Sequence, residues 1–220
     1  MRPAVLGLLA SALLLGATAP AHAETWSAPD RRGDVRVLSF DPDYQPCDNL
    51  PEHRDKHDKR RDIRGIAVDN GLEAVVLTLT FREVEKRDRS TSYALHVRTP
   101  RRAYFIDYVR GDGDVDVFMA EEPDFPNPSE ITNCMFATTS SGVACDGLDA
   151  DVSPEAGQVV VTIPSSCLGA PSWVRVAAQS VGSAHRGNQG RFALSSDFWG
   201  PRGAKPTTFL PPFGPRVHSS

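Results

Sequence analysis

The chain has 220 residues, 28 of them acidic against 24 basic, and a formal net charge of −4. That balance excludes the concentrated basic footprint of a nucleic-acid-binding protein. The length suffices for one substantial core, and a single all-β domain of this size is an ordinary outcome.

The amino terminus reads as a secretory signal. Arg2 precedes a largely apolar run from Ala4 to Ala17, and Ala21-His22-Ala23 supplies the small-residue cleavage pattern. Residues 1–23 are therefore predicted to be removed, leaving Glu24 first and, with only Arg2 lost, 23 basic against 28 acidic residues. No cysteine follows the cut directly, so a lipid anchor is not expected. No later segment is apolar for long enough to span a bilayer. A secreted protein with no membrane span after signal cleavage is the expectation.

The predicted elements follow as short strands. Val35 to Phe40 opens the domain, and Asp62 to Asp69 follows a long polar connection. Asn70-Gly71 signals a hairpin into Leu72 to Phe81, where Val75, Leu77, Leu79 and Phe81 alternate with smaller or polar residues. Tyr93, Leu95 and Val97 share a face of the next strand, which Thr99-Pro100 ends because proline cannot donate to a ladder. Tyr104, Ile106 and Tyr108 share a face, and Gly111-Asp112-Gly113 turns the chain into Val115, Val117 and Met119. A proline- and acid-rich loop from Glu121 to Glu130 precedes a candidate pair, Cys134 to Thr139 and Gly142 to Leu148. Val159 to Ile163, ended by Pro164, and Trp173 to Ser180 complete the set. Some eight to ten strands without helical patterning predict an antiparallel β-sandwich over residues 24–199. The proline- and glycine-rich residues 200–220 are predicted to form an extended arm or a disordered tail.

The four cysteines, Cys47, Cys134, Cys145 and Cys167, all follow the predicted cut. In an exported chain they read as two disulfides, with three pairings open. Cys145 with Cys167 and Cys47 with Cys134 is the preferred set, because the segments of the first pair look like neighbours across a hairpin. Zinc is the competing reading, but there is no Cys-x-x-Cys.

Asp30, Asp34 and Asp62, with Asp41 and Asp43 nearby, lie at strand ends where carboxylates and loop carbonyls can converge on a hard cation such as calcium. The plainer alternative is that these aspartates cap turns. His53 and His57, four apart in the charged run Glu52 to Asp62, would share a face on a helical turn and bind zinc or copper; a solvated loop is the competing reading. No Gly-x-Ser-x-Gly elbow and no His-Glu-x-x-His is present. Trp26, Tyr44, Tyr93, Tyr104, Tyr108, Phe118 and Trp199 are candidates for stacking on sugar rings, whereas Trp173 in its apolar strand reads as core. His96, Met119 and Met135 are candidate haem ligands, although no c-type attachment motif is present.

Several motifs carry a resemblance. Asp30-x-x-Gly33-Asp34-Val35, Arg61-Asp62-Ile63-Arg64, Phe81-Arg82 and Arg98-Thr99-Pro100 resemble secreted actinobacterial proteins of unassigned function. So do Val143-Ala144-Cys145, Pro164-Ser165-Ser166-Cys167-Leu168-Gly169 and Trp173-Val174-Arg175-Val176. More distantly, the layout is similar to jelly-roll sandwiches of the family-9 carbohydrate-binding (CBM9-like) and DOMON types. The resemblance spans most of residues 30–180 and implies a sandwich fold with either stacking aromatics for glycans or a haem held by Met and His. Together these readings lead to the expectation of a secreted, non-catalytic binding or interaction module. Its expected partner is a polysaccharide or another extracellular component such as a protein, and a structural calcium accompanies it. An extracellular hydrolase and a haem or redox module are the alternatives.

Overall fold

The computed structural model describes residues 24–40, 52–85, 91–110, 115–122, 141–183, 192–200 and 211–219. Two antiparallel sheets face each other across one apolar seam. The smaller runs, in spatial order, β1 (Glu24–Pro29), β4 (Ile63–Asn70), β5 (Ala74–Phe81), β10 (Gln158–Pro164) and β9 (Asp149–Ser153). The larger runs β3 (Glu52–Arg54), β2 (Arg36–Phe40), β12 (Phe192–Phe198), β11 (Trp173–Ser183), β6 (Thr91–Arg98), β7 (Ala103–Arg110) and β8 (Val115–Glu121). A short β13 (Val217–His218) also pairs with β11. The all-β sandwich expected from the alternating pattern is the fold observed.

The alternation works as period-two physics requires. In β5 every second residue, Val75, Leu77, Leu79 and Phe81, is buried. Facing them from the larger sheet are Tyr93, Leu95 and Val97 of β6, Tyr104, Ile106 and Tyr108 of β7, and Val174 and Val176 of β11. Fully buried side chains such as Leu77, Leu79 and Ile163 each contribute about 2 kcal/mol of hydrophobic stabilisation. The hairpin at Asn70-Gly71 forms as predicted, with Gly71 N–H donating to Ala74 O at 3.0 Å. Leu72 falls in that turn rather than in the strand and is 70% exposed.

Several expectations are corrected. Gly142 to Leu148 makes no strand; Gly142 forms one antiparallel bridge with Ala120, and the strand lies just beyond, at β9. Its expected partner, Cys134 to Thr139, lies outside the described residues, as does the Gly111–Gly113 turn. β1, β3 and β12 carried no sequence signal recognised above. Residues 211–219 are extended but docked: Val217 is buried against β11, and Gly214 N–H donates to Val176 O at 2.9 Å. The folded unit thus includes chain beyond residue 199.

The disulfide Cys145–Cys167 is present. Cys145 lies just before β9, and Cys167 sits in a 3-10 turn, Ser165–Leu168, after β10. β9 and β10 pair antiparallel, so the bond closes the open end of that hairpin. Cys47 and Cys134 lie outside the described residues.

Candidate functional site

Three of the aspartates singled out from the sequence are brought to one end of the sandwich, and a fourth joins them. Asp30 follows the end of β1. Asp34 closes the turn leading to β2. Asp62 immediately precedes β4, and Asp197 lies near the end of β12. Asp34, Asp62 and Asp197 each offer a carboxylate oxygen within 4.8 Å of the others. Asp41 and Asp43 lie outside the described residues.

Local backbone features make this convergence possible. The register of β4 against β5 slips between Ile63 and Gly65, a bulge that redirects the strand at its start. Asp30 N–H donates to Arg64 O at 2.9 Å, fastening the end of β1 to the bulge. A Cβ at Gly65 would stand 3.1 Å from Ala28 O, so glycine allows β1 its close approach. Gly33 adopts φ +69°, a left-handed conformation costly for other residues. In that conformation its N–H points at both oxygens of Asp62, each at 3.1 Å. Asp197 lies on the inward face of β12, where its Oδ2 accepts from Ile63 N–H at 2.8 Å.

Burial and mutual repulsion make the carboxylates hard to ionise. Asp62 is 0% and Asp197 3% exposed. Burial pushes the Asp197 carboxyl up to about 9, with the charges of Asp34 and Asp30 adding to it. Asp30 is pushed up to about 7, again mainly by burial and partly by Asp34. Asp34 and Asp62 are raised as well, by burial first; Gly33 N–H and then Arg64 and Arg82 oppose the rise at Asp62. The nearest of these cations is loosely placed, with Arg82 Nη1 at 3.7 Å from Asp62 Oδ2. Asp30 Oδ2 and Asp34 Oδ1 are both buried and accept no hydrogen bond among the described residues.

A neighbouring carboxylate behaves in the opposite way. Burial alone would raise Asp58 too. Hydrogen bonds from Ser195 Oγ at 2.6 Å and Arg61 Nη1 at 2.7 Å, with the Arg61 charge, hold it below the usual range. Arg61 is itself buried, and Ser180 Oγ donates to its carbonyl at 2.7 Å. The segment read as a solvated charged loop therefore ends in a buried ion pair. Asp58 has a cation of its own in contact; the four-aspartate group has the long approach of Arg82 and the more diffuse charges of Arg64 and Arg32.

Other sequence candidates disperse. His53 stands on strand β3 and His57 in the turn after it, both exposed, so no helical face unites them. His96 donates or accepts at Glu122 Oε1, 3.0 Å away, on the outer face of the larger sheet, whereas Met119 is buried in the inner seam. The sheet separates that pair, and Met135 lies outside the described residues. Tyr93, Tyr104, Tyr108 and Trp199 are buried, and Trp26 packs edge-on against Trp199 at 5.2 Å. Phe118 is 47% exposed, and Tyr44 lies outside the described residues. Trp173, expected in the core, is only half-buried and carries Arg216 over its ring at 4.5 Å.

Sequence reasoning missed Asp197. Its setting, Ser195-Ser196-Asp197-Phe198, has two adjacent serines and no turn signal, and an inward carboxylate in a strand is visible only once its neighbours are placed. Among the described residues no helix is long and apolar enough to cross a membrane. No protein family, no curated protein and no solved structure matches the chain.

Proposed function

We propose that the protein is a secreted, non-catalytic β-sandwich module that binds polysaccharide or another surface component, and that a divalent cation, calcium, pins its first strand to the sandwich. The observation that carries this reading is the meeting of Asp34, Asp62 and Asp197 within 4.8 Å, with Asp30 beside them. Calcium takes oxygen ligands at 2.3–2.6 Å, so oxygens on opposite sides of one ion stand about 5 Å apart. An all-carboxylate donor set suits such a hard cation and gives a softer one no thiolate or imidazole.

The same burial argues against catalysis at this place. Asp62 and Asp197, 0% and 3% exposed, have no access to a polymeric substrate, whereas a desolvated ion fits them. Asp30 Oδ2 and Asp34 Oδ1 supply buried acceptors with no donor among the described residues. A cation here would join the end of β1, the β4 bulge and β12, and so link the two sheets at one end.

Thermal melts of the oxidised protein at pH 8 test this, in calcium, in magnesium and in chelator. The midpoint should rise with calcium. Asp197→Asn should abolish that rise while melting above the wild type in chelator, because an amide needs neither the proton that Asp197 takes up on folding at pH 8 nor a compensating cation. Identical wild-type melts in all three conditions would overturn the cation site.

A further inference from the structure

At the other end of β11 the charge is reversed, and Arg98 and Arg216 are exposed while Arg175 is half-buried. β11 begins at Trp173 and Arg175, and only its later residue Ser180 pairs with Asp197, so the two ends lie about 17 Å apart along the strand. Arg175 stands directly opposite Arg98 of β6. Leu95 and Val97 face the seam with Val174 and Val176, and alternation places Arg98 and Arg175 on the outer face. On the other flank, Trp173 pairs with His218 and Val174 with Val217, and continuing that register sets Arg216 beside Arg175. One row across three adjacent strands thus carries Arg98, Arg175 and Arg216.

Like charges opposed on neighbouring strands cost stability, and here aromatic rings hold them in place. Arg98 lies 4.2 Å over the Phe213 ring, Arg175 lies 5.8 Å from the same ring, and Arg216 lies 4.5 Å over Trp173. Arg175 is anchored further by Nε donating to Gly214 O at 2.8 Å. Arg175 Nη2 also reaches Phe213 O at 3.3 Å, so its Nε/Nη2 edge is spent on the backbone. Arg98 and Arg216 are exposed, and a guanidinium laid on a ring there keeps edge N–H groups for solvent, in the fork that matches a carboxylate. Arg102, in the adjoining turn, pairs with Glu121. Among the described residues no carboxylate pairs with Arg98, Arg175 or Arg216. This cationic row stands out on a chain whose net charge is −4.

We propose that this row, Arg98, Arg175 and Arg216 with Phe213 and Trp173 between them, is a docking surface for an acidic polysaccharide whose uronate carboxylates pair with the guanidinium groups. The proposal rests on the binding-module reading above and names its ligand class. Charge complementarity selects the acidic polymer. Adjacent strands are about 4.8 Å apart, comparable to the length of one sugar residue, so uronates along an extended chain can pair with Arg98 and Arg216 while Arg175 adds its charge between them.

The test is isothermal titration of the full exported chain with an oligogalacturonate, its methyl-esterified form, and a single-stranded oligonucleotide of equal charge. The acid should bind, its affinity should fall with added salt, and the ester should bind at least tenfold more weakly. Arg98→Gln and Arg216→Gln should each weaken binding about fivefold without shifting the melting midpoint, while Lys59→Gln, a charge removed elsewhere, should not. Equal binding of acid and ester would overturn the arginine row and leave a polysaccharide module standing. Binding of neither would overturn both. Oligonucleotide binding as tight as the uronate, or full affinity in both arginine variants, would also overturn the proposal.

Discussion

The two ends of the larger sheet gather like charges in opposite ways. At one end four aspartates, two of them essentially without exposed area, are enclosed between the β4 bulge and β12. At the other, three arginines lie on the outer face with rings beneath them. Water screens the exposed Arg98 and Arg216, so the repulsion in the row is small and their N–H groups stay available. Asp62 and Asp197 have no such screening and the half-buried Asp30 and Asp34 have little, so folding the four together in the ionised form is costly unless protons or a cation compensate. Asp58, a few residues away with Arg61 and Ser195 in contact, shows what one compensating cation does, since its carboxyl is held low where Asp197 is pushed up to about 9.

The largest change should act on neither end specifically. Opening Cys145–Cys167, which spans 22 residues, with paired serines should cost about 3 kcal/mol. The calcium-dependent rise in melting midpoint and the affinity for oligogalacturonate should both survive it, as calorimetry and titration of that variant would record. Loss of either would mean that the ends depend on the β9–β10 hairpin.

Next in size is the cation itself. At a calcium concentration about 100 times its dissociation constant the stabilisation is about 2.7 kcal/mol, or roughly 5–10 °C in a domain of this size. It should depend on pH with a definite sign. Asp30 and Asp197 keep protons in the folded chain up to about 7 and about 9, whereas unfolded aspartates lose them near pH 4. The folded state therefore holds more protons between those values. In chelator the contribution of these two carboxyls should be full below about pH 4 and be lost as pH rises to about 9, whereas that of Asp58, held low, is lost on acidification. Calcium competes with those protons, so its stabilising increment should grow over the same window. An increment that is flat from pH 5 to 9 would separate the cation from these carboxylates.

A smaller effect tests the turn that orients Asp62. Gly33→Ala meets only ordinary contacts with Lys56, the nearest at 3.7 Å, so its cost comes from φ +69° rather than from space. About 1–2 kcal/mol is expected, together with weaker calcium binding because the N–H aimed at Asp62 moves. Unchanged calcium affinity would assign the turn a purely structural role. The smallest effect belongs to the exposed end: Arg98→Gln should alter stability by less than about 0.5 kcal/mol. A larger loss in urea titration would make the Phe213 stack a structural brace.

Which features were legible follows from the range of the forces involved. Strands β4 to β8, β10 and β11 announce themselves because alternation with period two, glycine turns and prolines act within a few residues. Cys145 and Cys167 were placed correctly because both flank one hairpin. β1, β12 and β13 had no such pattern. Their sequences, Glu24 to Pro29, Phe192 to Phe198 and Val217-His218, become strands by pairing with β4, β2 and β11.

The chain by itself determined an all-β sandwich, the faces of its central strands and three of the four aspartates, because those follow from local period and turn chemistry. Only the tertiary structure decided that Asp197, 135 residues beyond Asp62, turns inward to complete the acidic group. It also took Trp173 out of the core and aligned Arg98, Arg175 and Arg216 across three strands. Those outcomes depend on register between distant segments, where a shift of one residue would exchange the two faces of a strand.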